Sequence, residues 1–308
     1  MSGARGALRH EAAGCAARAL ESPPPVGLVV ATEVEARPLL NGRFRTAKSW
    51  EAAGRRWFVG DVAAVADDAE PAACVGPARE TVSRGRQQPV VVVISGYDRA
   101  NGAAATALLV ERFAPVLVIN FGIAGAFPGS GLALCDLVLA TADSYADTGT
   151  SSPQGWLPTE EFGLPLAEVG GKQFWNTFPL SAPLVRGAAA VLRRSGWQEE
   201  GAGRAVRGRR LRRGPFVTLS QVTGTAEEAL TLEARWGALA ESMEGAACAH
   251  MCALYGIPCL EVRGISNLVG DRDRDRGRWD VTGAAAEAAD AVQAVLRGEI
   301  LELLRGRE

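Results

Sequence analysis

Short apolar runs of strand-forming residues recur along the chain and constrain its fold more than any other feature. Residues 26–31, 89–95 and 116–120 are such runs, and the second reads Pro-Val-Val-Val-Val-Ile-Ser. Strands without polar alternation are buried on both faces, as in a parallel sheet covered by helices. An alanine-rich segment of helical length, which ends near Phe113, separates the second run from the third. The alternation predicts an α/β fold with a central, largely parallel mixed sheet flanked by helices.

The chain has 308 residues, which one large α/β domain accommodates, and nothing in it marks a boundary between two domains. We therefore predict a single catalytic domain over residues 26–308. Residues 1–25 lack a continuous apolar core and end in three prolines, so we predict a disordered or loosely attached N-terminal extension and not a secretory signal. Apolar periodicity is lost near 66–88 and 195–213, where we predict variable inserts.

Two polar segments stand apart from the strand–helix pattern. Residues 143–165 are predicted to form a long loop, and such loops in compact domains are typically functional, which suggests a lid or a partner contact. Residues 193–213 carry eight arginines and two glutamates. A patch for an anionic polymer and a solvated insert both fit that composition. We favour the insert, because no aromatic residue beyond Trp197 is available to stack on bases.

Composition excludes several classes of partner. The formal net charge of −2 gives no reason to expect nucleic acid. No apolar run reaches the roughly 18 residues of a membrane-spanning helix. The six cysteines form no Cys-x-x-Cys pair. Cys248 and Cys252 lie one helical turn apart, but they lack further ligands at metal-binding spacing and are interpreted as packing residues. We expect a cytoplasmic protein without a metal, a cofactor or a membrane partner.

The stretch from Met243 to Asn267 contains the polar residues of greatest interest. Glu244 opens a helix of small residues that Gly256 ends, and a buried strand then leads to Asn267 at its carboxyl end. Ligands of open α/β sheets bind at such ends. Glu35 follows the first strand at the same edge. Each residue also has a purely structural explanation, because acidic side chains favour helix N-termini and asparagine favours turns.

Together these residue types suit the cleavage of an N-glycosidic bond, which passes through an oxocarbenium-like sugar. We expect Glu35 to orient and deprotonate a water molecule. Glu244 would accept hydrogen bonds from the ribose hydroxyls and place negative charge near the forming cation. Asn267 would offer its carbonyl to a protonated purine N7 and its NH₂ to a 6-oxo group. Adenine carries a donor at position 6, so Asn267 favours a 6-oxopurine such as hypoxanthine.

Four motifs resemble those of the purine nucleoside phosphorylase and nucleosidase superfamily. They are Glu-Val-Glu at 33–35, Asn-Phe-Gly-Ile-Ala-Gly at 120–125, Met-Glu-Gly-Ala-Ala at 243–247 and Val-Arg-Gly-Ile-Ser-Asn at 262–267. Their order and separation also match that superfamily. The resemblance implies a single-domain phosphorylase/hydrolase-like fold. It also implies a small nucleoside substrate and a homo-oligomer, with a dimer favoured because the nucleosidase branch forms dimers.

Within that superfamily the chain most resembles the futalosine hydrolase family. The likeness is carried by Gly-Ile-Ala-Gly-Ala-Phe at 122–127, Gln-Val-Thr-Gly-Thr at 221–225 and the run from Arg263 to Asp280. It implies hydrolysis of futalosine to hypoxanthine and dehypoxanthine futalosine, a step of the alternative menaquinone route, with water as nucleophile and no cofactor.

The resemblance also implies roles for individual residues. Glu35 matches the water-activating glutamate, Met243 and Glu244 match the ribose-binding pair, and Asn267 replaces the base-protonating aspartate of the adenine-releasing nucleosidases. The remaining candidates lie in the segments that line the nucleoside in this superfamily, and they are Ala124, Gly125, Val222 and Thr223.

Three alternatives stay open on the sequence. They are an adenine-releasing methylthioadenosine/adenosylhomocysteine or aminodeoxyfutalosine nucleosidase, a phosphate-dependent purine nucleoside phosphorylase of the same fold, and a nucleoside-binding module without catalysis. The acidic pair Glu33 and Glu35 argues against phosphate as nucleophile, because phosphate needs cationic partners. The benzoate carboxylate of futalosine also needs a cationic or amide partner, for which Arg99, Arg272 and Arg274 are candidates.

Overall fold

A computed structural model of the chain describes residues 23–62, 88–199, 208–272 and 279–298. The helices are α1 (Glu33–Leu40), α2 (Arg99–Phe113), α3 (Ala182–Arg194), α4 (Ala226–Trp236), α5 (Gly245–Tyr255) and α6 (Val281–Arg297). The strands are β1 (Val26–Val30), β2 (Phe44–Ala52), β3 (Arg55–Val62), β4 (Pro89–Ile94), β5 (Leu117–Ala126), β6 (Leu137–Tyr145), β7 (Gly149–Ser152), β8 (Gly155–Pro158), β9 (Ala167–Val169), β10 (Lys172–Phe174), β11 (Thr177–Pro179), β12 (Gln198–Glu199), β13 (Arg210–Thr218), β14 (Ala240–Ser242) and β15 (Cys259–Leu268).

The three apolar runs of the sequence lie side by side as parallel strands. Strand β1 lies between β4 and β5, and Val26 aligns with Val90 on one side and Leu117 on the other. All five side chains of β1 are buried, as expected for a strand covered on both faces. Because these strands are parallel while β2, β3, β11 and β14 add antiparallel pairs, the predicted α/β fold with a largely parallel mixed sheet is confirmed.

Part of the central sheet closes on itself. Its path runs β11-β6-β13-β14-β5-β1-β4-β3-β2, with β12 beside β13. Strand β15 pairs with both β5 and β6. The strands β5, β15, β6, β13 and β14 therefore form a closed ring, which brings together residues that are far apart in sequence.

The helices cover the sheet in two packed groups. Helix α1 packs on α6, which also contacts α3, and helix α2 packs on α5. Strand β15 approaches α6 so closely that a Cβ on Gly264 would lie 2.0 Å from the carbonyl oxygen of Ala284. Small residues on both sides of this contact are therefore a packing requirement. Thr32 caps the first helix, because its hydroxyl accepts a hydrogen bond from the Glu35 amide at 3.3 Å.

The interpretation of residues 143–165 as a long loop is wrong. Strand β6 continues to Tyr145, and β7 and β8 then pair as an antiparallel hairpin. The Ser152 hydroxyl holds the turn, since it accepts from the Gln154 amide and donates to the Gly155 carbonyl. The hairpin was missed because its strands are short and polar, so they lack the apolar alternation that marks a strand.

The predicted insert at 195–213 is also partly wrong. Strand β12 lies within it, and from Arg210 the chain enters β13 of the central sheet. Arginines are tolerated there because carboxylates face them: Arg213 pairs with Glu199, and Arg209 pairs with Glu287 at 2.8 Å. The strand forms because nearby carboxylates pair with these arginines, and the spacing of the arginines in the sequence does not show this.

Several expectations fall outside the described residues. Residues 1–22 of the predicted extension and 66–87 of the first predicted insert are among them. In the described ranges, no helix combines the length and the apolar character that a membrane crossing requires.

Candidate active site

A cavity of about 320 Å³ lies where β1, β5 and β15 end. It gathers residues from distant parts of the chain, as expected at the carboxyl edge of such a sheet. Of the eight candidates from the sequence, seven line it: Glu35, Ala124, Gly125, Val222, Met243, Glu244 and Asn267. Thr223 does not line the cavity itself, but its hydroxyl donates a hydrogen bond to Glu241, which does.

The carboxylate of Glu35 is held in the cavity by two hydrogen bonds. Its Oε2 accepts from the Thr32 hydroxyl at 2.7 Å, and its Oε1 accepts from the Ile123 amide at 2.9 Å. A Cβ on Gly122 would lie 2.3 Å from Oε1, so the glycine is needed for this approach. The neighbouring acid behaves differently, because Glu33 is exposed and pairs with Arg56 at 2.7 Å.

Glu244 occupies the N-cap position of α5 but does not cap the helix. Its Oε1 accepts from the Asp98 amide at 3.2 Å, and its Oε2 lies 3.4 Å from Nη1 of Arg263. Burial raises the pKa of Glu244 to about 7; Arg263 opposes the rise and Glu35 adds to it. Glu244 therefore makes no capping hydrogen bond, and its carboxylate is held by Asp98 and Arg263 instead.

Arg263 is a buried guanidinium that connects three of the sequence motifs. It donates to the Asn120 side chain, to the Ile123 carbonyl at 3.3 Å and to Glu261 at 2.9 Å, besides facing Glu244. Burial lowers its pKa, but the carboxylates of Glu261, Glu244 and Glu35 outweigh this and raise it above its ordinary value. Sequence reasoning did not assign Arg263 to the site. The sequence did carry a signal for it, because charged residues interrupt the otherwise apolar run 259–265.

Asn267 reaches the cavity through an irregularity in β15. The pairing with β5 shifts between Ile265 and Asn267, so Ser266 is an additional residue and Asn267 lies beside Gly125. The Ser266 hydroxyl donates to Oδ1 of Asn267 at 2.8 Å. The amide Nδ2 makes only a long contact of 3.4 Å with the Leu268 carbonyl. The donor side of this amide is therefore the less committed one.

Glu241 is a cavity-lining acid that sequence reasoning missed. It lies on β14, and its side chain is buried. Its Oε2 accepts a hydrogen bond from the Thr223 hydroxyl. Burial raises the pKa of Glu241 to about 7, opposed by the Thr223 hydrogen bond and by the charge of Arg272. A three-residue strand gives no periodic signal, so nothing in the sequence distinguished this glutamate from a surface acid.

One of the three candidate partners for a substrate carboxylate lines the cavity. Arg272 donates from Nε to the Thr223 carbonyl at 2.9 Å, and its guanidinium carbon lies 4.9 Å from the ring centroid of Trp279. Arg99 instead pairs with Asp147 at 2.7 Å and is not among the lining residues. Arg274 lies outside the described residues.

Within the parts of the chain that the structure describes, no three His, Cys, Asp or Glu side chains cluster in a way that suits a metal ion. Cys248 and Cys252 are both buried in the apolar core.

The family model described as the phosphorylase superfamily matches residues 25–300. A futalosine hydrolase of Thermus thermophilus is 34% identical over 209 residues, which are 68% of this chain and 82% of the relative. A futalosine hydrolase of Streptomyces coelicolor is 36% identical over 207 residues, 65% of this chain and 76% of the relative.

Among solved structures, the 5'-methylthioadenosine/S-adenosylhomocysteine nucleosidase of Neisseria meningitidis in complex with methylthio-immucillin-A is similar in fold. Its TM-score is 0.67 at 22% identity, and the match covers 89% of this chain and 99% of the nucleosidase.

Proposed function

This chain belongs to the phosphorylase superfamily and, within it, to the futalosine hydrolase family, and we propose on this premise that it hydrolyses the N-glycosidic bond of futalosine. The products are hypoxanthine and dehypoxanthine futalosine, in a step of the alternative menaquinone route. The observation that carries the proposal is the meeting of Glu35, Glu244 and Asn267 in one cavity at the sheet edge.

Glu35 acts as the general base that deprotonates the attacking water. Hydrogen bonds from Thr32 and Ile123 fix both carboxylate oxygens, and each oxygen retains a lone pair for the water. Because the carboxylate is already oriented, the Glu35 side chain does not have to change its rotamer before it takes the proton. General base catalysis typically contributes about 10²–10⁴-fold to the rate.

Glu244 binds the ribose hydroxyls and stabilises the cation that forms on the sugar. The Asp98 amide and Arg263 hold its carboxylate, and Glu35 lies close enough to influence its pKa. Arg263 is a positioning residue in this scheme, since Asn120, Ile123 and Glu261 hold it from behind. Met243 lines the cavity beside Glu244 and packs on the sugar.

The leaving base lies against Val222, Ala124 and Gly125, with Asn267 at its polar edge and Thr223 behind. The Nδ2 donor of Asn267 suits the 6-oxo group of hypoxanthine better than the 6-amino group of adenine, because two donors would otherwise face each other. This preference distinguishes the proposal from an adenine-releasing nucleosidase.

Water is the nucleophile, not phosphate. Of the described residues that line the cavity, Arg272 is the one cationic side chain, and it lies at Thr223 and Trp279, not at Glu35. Arg263 is committed to four protein partners. A phosphate beside Glu35 would meet a carboxylate and lack the cationic contacts that it needs.

The decisive experiment is to incubate the protein with futalosine in a phosphate-free buffer and to identify the products by chromatography and mass spectrometry. We expect hypoxanthine and a free sugar hydroxyl at C1', at a rate that added phosphate does not increase. A sugar 1-phosphate would indicate a phosphorylase. Faster release of adenine from methylthioadenosine would indicate the adenine-specific alternative, and no turnover of either substrate would favour a binding module.

The enzyme works in the cytoplasm as a homo-oligomer, most simply a homodimer, as the resemblance to the nucleosidase branch implies. Sedimentation equilibrium of the purified protein tests the assembly, and twice the 32.3 kDa chain mass is the expected result.

A further inference from the structure

Gly125 stands between two polar side chains of the cavity wall. In the sheet, Gly125 pairs with Glu241 of β14 on one side and with Asn267 of β15 on the other. A Cβ placed on Gly125 would lie 2.9 Å from Cγ2 of Val269, 3.0 Å from Nδ2 of Asn267 and 3.4 Å from Cγ of Glu241. Because the glycine has no side chain, the side chains of Asn267 and Glu241 both lie directly beside it, with Val269 as the apolar neighbour.

Each of the two side chains keeps one polar atom available to a ligand. The Oε2 of Glu241 accepts from the Thr223 hydroxyl and the Thr223 backbone amide also stabilises the carboxylate, whereas no side chain among the described residues donates to its Oε1. The Oδ1 of Asn267 accepts from Ser266, whereas Nδ2 makes only the long contact with Leu268. A strong acceptor and a donor therefore lie next to each other on the cavity wall.

We infer that Glu241 is a specificity-determining residue that recognises, together with Asn267, the lactam edge of a 6-oxopurine. Glu241 Oε1 accepts a hydrogen bond from N1–H, and Asn267 Nδ2 donates to O6. This inference rests on the proposed function, because it takes the cavity as the place where the base is bound and released.

The pair of side chains rejects adenine at both positions. The 6-oxopurine edge presents an acceptor at O6 and a donor at N1, in the order that Asn267 and Glu241 complement. Adenine presents the reverse, a donor at N6 and an acceptor at N1, so a donor would face Asn267 and a lone pair would face the carboxylate. Sites whose buried polar groups are left unpaired by the wrong substrate discriminate strongly.

Thr223 and Arg272 support this role of Glu241. Thr223 is almost fully buried, and its hydroxyl holds one carboxylate oxygen so that the other is directed to the base. Arg272 in turn holds the Thr223 carbonyl at 2.9 Å. The base-reading carboxylate is therefore anchored through a short chain of contacts that ends at Arg272, which also lines the cavity.

The first test is a thermodynamic cycle that combines one change in the protein with one change in the substrate. Futalosine and its N1-methylhypoxanthine analogue are compared with the wild-type protein and with Glu241→Ala. Loss of a hydrogen bond to a charged group costs about 10- to 100-fold. We expect methylation to lower kcat/KM by that factor in the wild type and by less than about threefold in Glu241→Ala, where the acceptor is absent.

A second variant separates hydrogen bonding from simple contact with the methyl group. Glu241→Gln keeps the size of the side chain but can turn an NH₂ toward N1 of adenine. We expect the ratio of kcat/KM for futalosine to that for its adenine counterpart to fall by about tenfold or more. Glu227→Gln, an exposed change on α4, is the matched control and should behave as the wild type does. Thermal unfolding curves verify that each variant is folded.

The possible outcomes distinguish a failure of the proposed function from a failure of the inference about Glu241. A wild-type protein that releases no hypoxanthine from futalosine contradicts the proposed function. If hypoxanthine is released, an equal methylation penalty in wild type and Glu241→Ala overturns the inference about Glu241, as does an unchanged base preference in Glu241→Gln. Should Glu241→Ala not fold, the Glu241→Gln ratio alone decides.

Discussion

Glu241 and Glu244 are three residues apart and look alike in several respects. Both line the cavity, both side chains are buried, and the pKa of each is raised to about 7 mainly by burial. Their partners differ. Glu244 faces a buried guanidinium and a backbone amide, whereas Glu241 is held by the Thr223 hydroxyl.

The comparison shows that burial alone does not assign a role to a carboxylate. The Asp98 amide binds one oxygen of Glu244 and Arg263 faces the other, whereas Thr223 holds Glu241. In the proposed mechanism, the sugar end of the cavity therefore supplies charge, and the base end supplies a hydrogen-bond pattern. The following predictions test that division.

The largest effect is expected for Glu35→Gln, at the sugar end. Without the general base, kcat should fall by about 10²–10⁴-fold. The preference for hypoxanthine over adenine should not change, because the base end is intact. Steady-state kinetics with both substrates measure this, and Glu33→Gln is the matched control, since Glu33 is an exposed acid of the same turn. A variant with unchanged turnover would remove Glu35 from the mechanism.

A smaller loss is expected for Glu244→Gln. The amide cannot present a full negative charge to the sugar, so kcat/KM should fall by about 10- to 100-fold, the range of one hydrogen bond to a charged group. Base preference should again stay constant, in contrast to Glu241→Gln. If Glu244→Gln altered the hypoxanthine-to-adenine ratio, the division between a sugar end and a base end would be wrong.

The pH dependence of kcat/KM is expected to reflect the ionisation of both Glu241 and Glu244. Their ionised forms are the ones required, and burial moves the pKa of each from 4.5 up to about 7. Activity should therefore fall as the pH drops through about 7, not through 4.5, by up to about tenfold per pH unit for each group. Arg272 and Glu228 are the charges that act on Glu241, while Arg263, Glu35 and Glu261 act on Glu244.

A pH profile of kcat/KM on futalosine measures this, together with the profile of Glu241→Gln. We expect the acid limb of the wild type to be steeper, approaching a slope of two, and that of the variant to approach a slope of one, because one of the two ionisations has been removed. A flat profile between pH 5.5 and 8 would contradict the assignment of ionised Glu244 and Glu241 as the active forms.

Much of the site could be predicted because its residues are adjacent to recognisable strand ends. Glu35 follows an apolar run, and Glu244 and Asn267 bound a helix and strand whose limits the sequence indicates. The carboxyl ends of parallel strands meet at one edge, so these residues were expected to converge, and all three line one cavity. Arg263 was visible in a motif, but its contacts with Asn120, Ile123 and Glu244 were not, because those residues lie on β5 and at the start of α5.

The sequence by itself determined the alternation of strands and helices, the edge of the sheet that carries the site and the identity of its principal acids, because these follow from local periodicity and from residues at element ends. Tertiary structure alone decided that Glu241, the acid proposed to read the base, lines the cavity. Glu241 meets Asn267 only because β14 and β15 both pair with β5 at Gly125, with an additional residue in β15 setting the register. Pairing between strands more than a hundred residues apart depends on closure of the whole ring of strands, and no local pattern records it.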